Sequence, residues 1–332
     1  MISPFPKSSS LAGEGRIVVK LAPNDVSALE SITYQYPLKL ISPASAAEQG
    51  SVLIFLLSYG GGLVAGDQIN LSIDVLPRAR LSVVTQGHTK IFRSVAPDIV
   101  TRQNLKVDIK DGAALCLLPD PVQPFESSIY EQVQIFNLTA GASLCLLDWV
   151  TQGRTARGEN WSLGRWIGRN EVWTAPTCEA PSSKKRLLLR DSVILDGTTR
   201  PTGSPSLRES MHGNAVVGTL ILRGPMTKSI GDFFLAEFAA LPRLGARDFR
   251  SAELREKEEA LPQSPLERWR TRRFKEERDK EVLWSAANVR GCIVVKFGAT
   301  TVEAARNWIG TMLVQEGSIE RDFGEQALMC VR

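Results

Sequence analysis

Short apolar segments separated by turn residues run along the chain from residue 15 to about residue 222. Most of them are rich in Val, Ile, Leu and Thr, and Gly, Pro, Asn, Asp and Ser lie between them. This spacing, without amphipathic segments of about 10–15 residues, favours a sandwich, barrel or β-helix over a βαβ fold. Residues 52–57 and 114–118 are apolar throughout, so we expect these strands to be buried between layers. The pattern predicts strands at 16–21, 32–41, 52–57, 69–76, 81–85, 105–109, 114–118, 131–136, 143–149, 172–174, 185–189 and 215–222.

The C-terminal third is patterned differently. Residues 230–241 form a predicted helix, and residues 301–313 form a second one whose apolar residues recur at the spacing of one helix face. That face consists of Val302, Ala305, Trp308, Ile309 and Met312. Residues 290–297 read as a further strand, so the chain is expected to return to the sheet before its last helix.

A mixed-charge stretch separates these two helices. Residues 243–281 hold 12 basic and 10 acidic side chains and too few apolar positions to define a core face. We therefore expect 243–283 to be a charged insertion, helical or mobile and solvated, although Trp269 and Trp284 leave a docking role open. The whole chain, 1–332, is predicted as one mainly β domain with this insertion.

Charge and hydropathy narrow the classes of partner. The 332 residues include 40 basic and 36 acidic side chains, a formal net charge of +4, which is too small for a dedicated nucleic-acid footprint. No stretch of about 18 apolar residues could span a bilayer, and the first residues lack the apolar core of a signal peptide. The expectation is a soluble cytoplasmic protein with no nucleic-acid and no membrane partner.

Thiols and imidazoles are scarce. The five cysteines are scattered without a CxxC pair, which is typical of reduced, buried thiols, and there are only two histidines, His88 and His212. The sequence therefore offers few ligands for a zinc site and few residues for a histidine-dependent catalytic centre.

The glycine-rich segment 58–67, SYGGGLVAGD, is the most unusual local sequence. Its glycines permit positive φ and close approach of the backbone. A phosphate loop is disfavoured because no GK[ST] and no helix follow, so a tight turn or bulge between buried strands is preferred. Asp67 at its end is either the partner of an Asx-type turn or a hard oxygen ligand.

Two neighbouring segments carry weaker signals. His88 lies among polar residues in 85–94, where a hydrogen-bonded structural role is favoured over general base catalysis because no nucleophile lies nearby. Residues 118–132 contain three prolines between strands, which predicts an extended, surface-facing loop.

Residues 147–161 hold the densest group of charged residues: Asp148, Arg154, Arg157 and Glu159. Asp148 and Glu159 could form an acid–base pair of a hydrolase. They could equally be ion pairs with the two arginines. A third interpretation is transient binding of a divalent cation such as nickel by carboxylates and water, which suits a carrier.

Six segments, in order along the chain, carry a resemblance to a known family. They are YPLKLI at 36–41, SYGGGLVAGDQI at 58–69, TQGHTKIFRS at 85–94, PDPVQPFESSIYEQ at 119–132, LDWVTQGRTARGE at 147–159 and WSAANVRGCIVVKFGA at 284–299. Together they resemble the UreD family of urease accessory proteins, called UreH in some systems. The resemblance covers about residues 15–222 and 284–320, and the insertion departs from the compact family pattern.

The resemblance implies a fold of many strands in two stacked layers, β-helix-like or sandwich, with a few C-terminal helices. It also implies a non-enzymatic scaffold and nickel metallochaperone that joins UreF and, through it, the GTPase UreG, and that docks on apo-urease. Homo-dimerisation would occur through the UreF-bridged complex. Nickel would be a transient cargo in an internal polar tunnel, with no tightly bound cofactor. Asp67, Asp148 and Glu159 match acidic positions associated with this route or its integrity.

Overall fold

A computed structural model of the chain describes residues 11–43, 50–175, 184–198, 203, 205–241 and 264–332. The strands in these residues are β1 Glu14–Leu21, β2 Ser27–Tyr34, β3 Leu38–Ile41, β4 Val52–Ser58, β5 Gln68–Val75, β6 Arg80–Val84, β7 Thr89–Ile91, β8 Thr101–Ile109, β9 Ala114–Leu117, β10 Val122–Pro124, β11 Ile129–Leu138, β12 Ser143–Thr151, β13 Arg165–Thr174, β14 Arg186–Asp196, β15 Val216–Arg223, β16 Leu283–Val289 and β17 Cys292–Ala299. The helices are α1 Leu207–Ser210, α2 Lys228–Ala239, α3 Pro265–Asp279, α4 Val302–Glu316 and α5 Ser318–Phe323.

The strands form two large sheets. A seven-stranded sheet has the order β14-β13-β11-β8-β5-β1-β2, and a ten-stranded sheet follows the path β16-β17-β15-β12-β9-β6-β4-β3, with β7 and β10 beside it. From β4 to β13 the long strands alternate between the sheets. Within each sheet these strands pair in parallel, β4-β6-β9-β12 in one and β5-β8-β11-β13 in the other. This is the winding of a two-layer β-helix, and it confirms the mainly β prediction.

The core lies in two layers, one between the sheets and one between the ten-stranded sheet and the helices. Alternation explains the first layer, since Ile69, Leu71 and Ile73 of β5 are buried while the residues between them are more exposed. The ten-stranded sheet is covered on both faces, so all nine residues of β12 are buried. Leu144 packs in the inter-sheet cluster and Trp149 in the cluster beneath the helices.

The two predicted helices are confirmed as α2 and α4. The Oγ1 of Thr301 caps α4 by accepting from the N–H of Ala304, and Gly317 ends it with a φ of 84°. Its predicted face is largely buried, with Trp308 and Met312 6% and 0% exposed. None of the described helices has the length and apolarity needed to cross a membrane.

Part of the charged stretch is described: it is a helix, one of the two expected alternatives, but one of its faces is buried rather than solvated. Residues 242–263 lie outside the described residues, but α3 begins at Pro265 behind a capping box of Ser264 and Glu267. Its buried face contains Trp269, Arg273 and Glu277. Counting apolar residues misses this face because ion pairs make most of it.

A buried ionic network holds α3 against the rest of the helical layer. The guanidinium of Arg273 donates to Glu237 of α2 at 3.0 Å and to Glu277 at 2.8 Å. The indole N–H groups of Trp284 and Trp308 also donate to Glu277, at 3.0 and 2.8 Å. Removing one member of such a network leaves a buried charge unpaired, which costs about 3–5 kcal/mol.

The prediction of a surface-facing loop at 118–132 is wrong. Val122 and Phe125 are 7% and 6% exposed, and β10 pairs in parallel with both β7 and β12. The prolines are compatible with burial here because β10 is only three residues long and lies beside the main path of the sheet.

Candidate functional site between the two sheets

Asp67 closes the glycine-rich turn that joins β4 to β5. Its Oδ2 accepts from the N–H of Val64 at 2.9 Å, and its own N–H donates to the carbonyl of Val64 at 3.0 Å. Gly60 and Gly61 have φ of 73° and 74°, the left-handed region that favours glycine. The structural interpretation of this segment as a turn is confirmed, and Asp67 closes it by accepting from the N–H three residues before it rather than in an Asx turn.

Glu159 belongs to a self-contained ionic loop after β12. Its carboxylate accepts from the backbone N–H of Arg154 at 2.7 Å and from the Nε of Arg154 at 2.9 Å, and it also contacts Nη2 of the same guanidinium. The Arg154 guanidinium lies 3.8 Å above the ring of Phe125. Burial acts to raise the pKa of Glu159, but hydrogen bonds from Arg154 and from the N–H of Glu126 outweigh it, so the pKa is lowered.

Asp148 of β12 lies in a different environment. It is 9% exposed, and its two oxygens accept from neutral amides, Gln132 Nε2 at 3.0 Å and Asn170 Nδ2 at 2.7 Å. Burial raises the pKa of Asp148, and the amide hydrogen bonds oppose the shift without cancelling it. Among the described residues no cation forms an ion pair with this carboxylate. Its direct partners are therefore uncharged.

Asp148 is one member of two cross-strand rows of polar side chains that face each other between the sheets. The row on the ten-stranded sheet crosses β12, β15 and β17, and the row on the seven-stranded sheet crosses β11, β13 and β14. We call these rows the polar seam: Asp148, Thr219 and Lys296 in the first, Gln134, Asn170 and Asp191 in the second.

Direct contacts join the two rows across the gap between the sheets. Asn170 Nδ2 donates to Asp148, and Lys296 Nζ donates to Asp191 Oδ1 at 2.6 Å. Gln134 Nε2 donates to Asn170 Oδ1 at 2.9 Å within the second row. Polar side chains thus run from the buried middle of the sheets to the half-exposed Lys296.

A cleft of about 500 Å³ opens onto the seam. Asp148, Thr219 and Lys296 lie on its wall together with apolar side chains that include Trp166 and Phe297. Glu159 and Asp67 are not among the residues that line it. Asp148 therefore lies on the wall of an open cleft that Glu159 does not share.

The three predicted acids do not meet. Within the described ranges, no group of three or more His, Cys, Asp or Glu side chains is placed to hold a metal ion together. Asp148 and Glu159 share no partner, so the acid–base pair of a hydrolase, which needs both carboxylates at one cavity, has no support in this geometry.

Sequence reasoning missed five of the six members of the seam. Gln134, Asn170, Asp191, Thr219 and Lys296 come from strands that are far apart along the chain. One signal was present at β11, where Gln134 alternates with apolar residues and shares the inward face with Tyr130 and Phe136. Polar residues on a face that is otherwise buried mark an internal network.

His88 lines a second cleft, beside Asp120, Arg306 and Cys330. Asp120 accepts from Thr85 Oγ1 at 3.0 Å and from Arg306 Nη2 at 2.8 Å. Burial lowers the pKa of His88 and raises the pKa of the Cys330 thiol to about 11. A thiol with a raised pKa is a poor nucleophile at neutral pH, and the hydrogen-bonded structural role of His88 stays a prediction.

Comparison with known proteins places the chain. Residues 12–327 match the family described as UreD urease accessory protein. An uncharacterized ureD-like urease accessory protein of Schizosaccharomyces pombe is 32% identical over 89% of this chain and 91% of its own. Urease accessory protein 4 of Cryptococcus neoformans is 29% identical over 92% and 91%, and the UreD protein of Sorangium cellulosum is 35% identical over 68% and 66%. With the match spanning nearly the whole chain, it belongs to the UreD family of urease accessory proteins.

Proposed function

We propose that this chain is a cytoplasmic, non-enzymatic nickel metallochaperone that joins UreF and UreG and passes nickel to apo-urease through the space between its two sheets. Membership of the family supports the first part. The observation that supports the second is Asp148, a buried carboxylate with neutral partners at the wall of an open cleft. Two copies of the chain meet through the UreF-bridged complex in this proposal.

The chemistry of the polar seam suits a cation in transit. Its donors are carboxylate, amide and hydroxyl oxygens, which hold a borderline metal such as nickel(II) more weakly than thiolate or imidazole. A transported ion must bind well enough to enter and weakly enough to leave, and water between separated oxygen ligands meets both conditions. The chain therefore needs no tightly bound cofactor, and nickel is its cargo.

Asp67 and Glu159 are proposed to serve the route through the segments that they hold. Glu159 fixes the loop that follows β12, the strand of Asp148, and Asp67 fixes the turn that leads into β5. The alternative is direct contact of either acid with nickel, and conservative substitutions distinguish the two.

Two other functions make different predictions. A carboxylate-dependent hydrolase needs Asp148 and Glu159 about 5–9.5 Å apart at one cavity, and the separate partners of the two acids give it no support. A pure interaction scaffold needs the same partners but no cation path. In that case variants of Asp148 that still fold should activate urease as well as the wild type does.

Urease activation in cells tests the proposal. Apo-urease is co-expressed with UreF and UreG at limiting nickel, with or without this chain, and the purified urease is analysed for nickel and activity. We expect nickel-poor, inactive urease without the chain, and a complex containing UreF and UreG when the chain is used as bait. Fully metallated urease without the chain would overturn the proposal.

A further inference from the structure

The ammonium group of Lys296 occupies the outer end of the polar seam. Lys296 Nζ lies 2.6 Å from Asp191 Oδ1 and 3.2 Å from Thr219 Oγ1. Asp191 is mostly buried, whereas the lysine side chain is half exposed. The ammonium thus bridges the two sheets at the mouth of the cleft, where its ligands are those a hard metal cation would use.

Lys296 lies two strands from Asp148 in the same row, with Thr219 between them. Cross-strand neighbours in a sheet lie about 4.5–5.5 Å apart, and Thr219 is the neighbour of both Asp148 and Lys296. The charge of Lys296 acts on the ionisation of Asp148 and favours its charged form, while Asp191 acts in the opposite direction. The two carboxylates and the ammonium therefore form one electrostatic unit.

A second feature of the same cleft is the indole group of Trp166. Its Nε1 is buried and has no hydrogen-bond partner within the part of the chain that the structure describes. Trp166 itself is 2% exposed and lines the cleft. A buried N–H group without an acceptor is unusual in a folded protein, and a side-chain movement that opened this one to the cleft would let a water molecule reach it.

We propose that Lys296 is a tethered counter-ion of the polar seam, which a divalent cation displaces when it binds at Asp148, Asp191 and Thr219. The inference rests on the proposed function and adds a site and a control element to it. Lysine suits this role because its ammonium sits on a flexible four-carbon stem and can move into solvent without disturbing the backbone. A dication gains about twice the attraction of a single charge from the same two carboxylates.

The displacement has a functional meaning for a carrier. With the ammonium in place, the two carboxylates keep a compensating charge after the cargo has left. While the metal is bound, the displaced ammonium competes for the same oxygens and limits how tightly the metal is held. Lys296 would thereby set an affinity low enough for release.

Binding of nickel(II) to the purified, untagged full chain tests this inference, by equilibrium dialysis in a buffer that does not chelate metal. The variants are Lys296→Met, Lys296→Arg and Asp148→Asn, with Lys20→Met as the matched control. Lys20 also pairs with a carboxylate, that of Glu30, but it lies on the surface at 3.0 Å from its partner. Circular dichroism and the thermal midpoint show whether each variant folds.

We expect Lys296→Met to bind nickel(II) more tightly by about 10-fold or more, because removal of a like charge beside partly buried ligands has an effect of this size. Lys296→Arg and Lys20→Met should bind as the wild type does. The gain should vanish in the double variant Asp148→Asn/Lys296→Met, which confines it to the seam. An unchanged or weaker affinity of Lys296→Met, no nickel binding by any variant, or a gain that survives Asp148→Asn would each overturn the inference.

The same variants separate this inference from the proposed function. If Lys296→Met leaves nickel affinity unchanged while urease still depends on the chain for nickel, the tethered counter-ion is rejected and the metallochaperone stands. If urease is metallated without the chain, the metallochaperone is rejected whatever Lys296 does. If Lys296→Met is too unstable to purify, Lys296→Gln replaces it with the same expected gain.

Discussion

Asp148 and Glu159 are two buried carboxylates in one stretch of chain, and the protein compensates them in opposite ways. Glu159 is neutralised by a single arginine five residues away, and its pKa is lowered. Asp148 is held by two amides from strands of the other sheet, and its pKa is raised. Local sequence supplies the partner in the first case and the fold supplies it in the second.

The difference indicates which acid is available for chemistry. A carboxylate whose lone pairs are filled by a guanidinium and a backbone N–H is a structural element, since any ligand must first displace the arginine. A carboxylate with neutral donors has no charged partner to displace and retains some accepting capacity. Burial alone does not mark a site, and the nature of the compensating group does.

The largest expected effect is on urease activation by Asp148→Asn. We expect activation at limiting nickel to fall by about 10-fold or more, as would follow from losing the charge of one ligand in a weak cation site. Nickel content of the urease formed is the measurement.

Glu171→Gln provides the matched control for this prediction. Like Asp148, Glu171 is a buried acid. It lies on β13 and pairs with Arg190 and Trp173 and not with the seam. Its variant should activate urease normally. Equal losses in the two variants would indicate general damage to the fold rather than a cation path.

The next effect is on stability. Glu159→Ala removes the acceptor of several hydrogen bonds and leaves Arg154 unpaired, so we expect the free energy of unfolding to fall by about 2–3 kcal/mol. Asp148→Asn should lose less, about 1 kcal/mol or below, because removal of a buried charge offsets the poorer hydrogen bonding. Urea unfolding of both variants measures this, and a larger loss for Asp148→Asn would reverse the assignment of roles.

Acidification should change the contributions of Glu159 and Asp148 to the free energy of unfolding in opposite directions. The folded-state pKa of Glu159 is lowered, so its contribution to stability is present above the unfolded pKa and is lost as pH falls. The stability difference between the wild type and Glu159→Gln should therefore stay nearly constant from about pH 7 to about pH 5 and shrink as the pH falls through the ordinary pKa of 4.5 and below. The folded-state pKa of Asp148 is raised, so the wild type should gain relative to Asp148→Asn as the pH falls from neutral toward the ordinary pKa of 3.8. Parallel trends in the two urea titrations would contradict the contrast.

The smallest effect is expected at Asp67. Asp67→Asn keeps an oxygen that can accept from the N–H of Val64, so stability should change by no more than about 0.5 kcal/mol. Asp67→Ala loses the hydrogen bond and about 1 kcal/mol. Normal urease activation by Asp67→Asn supports the turn role, whereas a loss comparable to that of Asp148→Asn would make Asp67 a nickel contact.

Much of the strand content could be predicted because burial leaves a periodic trace in the sequence. The segments at 52–57 and 114–118 are apolar throughout, 143–149 is apolar apart from Ser143 and Asp148, and all three became strands of the sheet that is covered on both faces. The order of strands left no such trace, since periodicity does not identify the neighbour of a strand. The parallel winding therefore had to come from the structure or from the family resemblance.

The candidate site was only half predictable for the same reason. Asp148 and Glu159 stood out locally, and Arg154 could be recognised as a partner within a few residues of Glu159. The partners of Asp148 could not, because Gln132 and Asn170 reach it from strands of the other sheet and not through local sequence. The docking of α3 was missed because Arg273 and Glu277 count as solvated residues in any hydropathy pattern.

The complete burial of β12 affects how often this strand opens as well as how stable it is. Amide protons in a strand covered on both faces exchange with solvent only through the rarest openings of a protein. The strand that carries Asp148 is therefore among the last parts of the molecule to open. In the proposed route, a cation therefore passes a rigid wall on which only side chains rearrange, within the nanoseconds that exposed rotamers require.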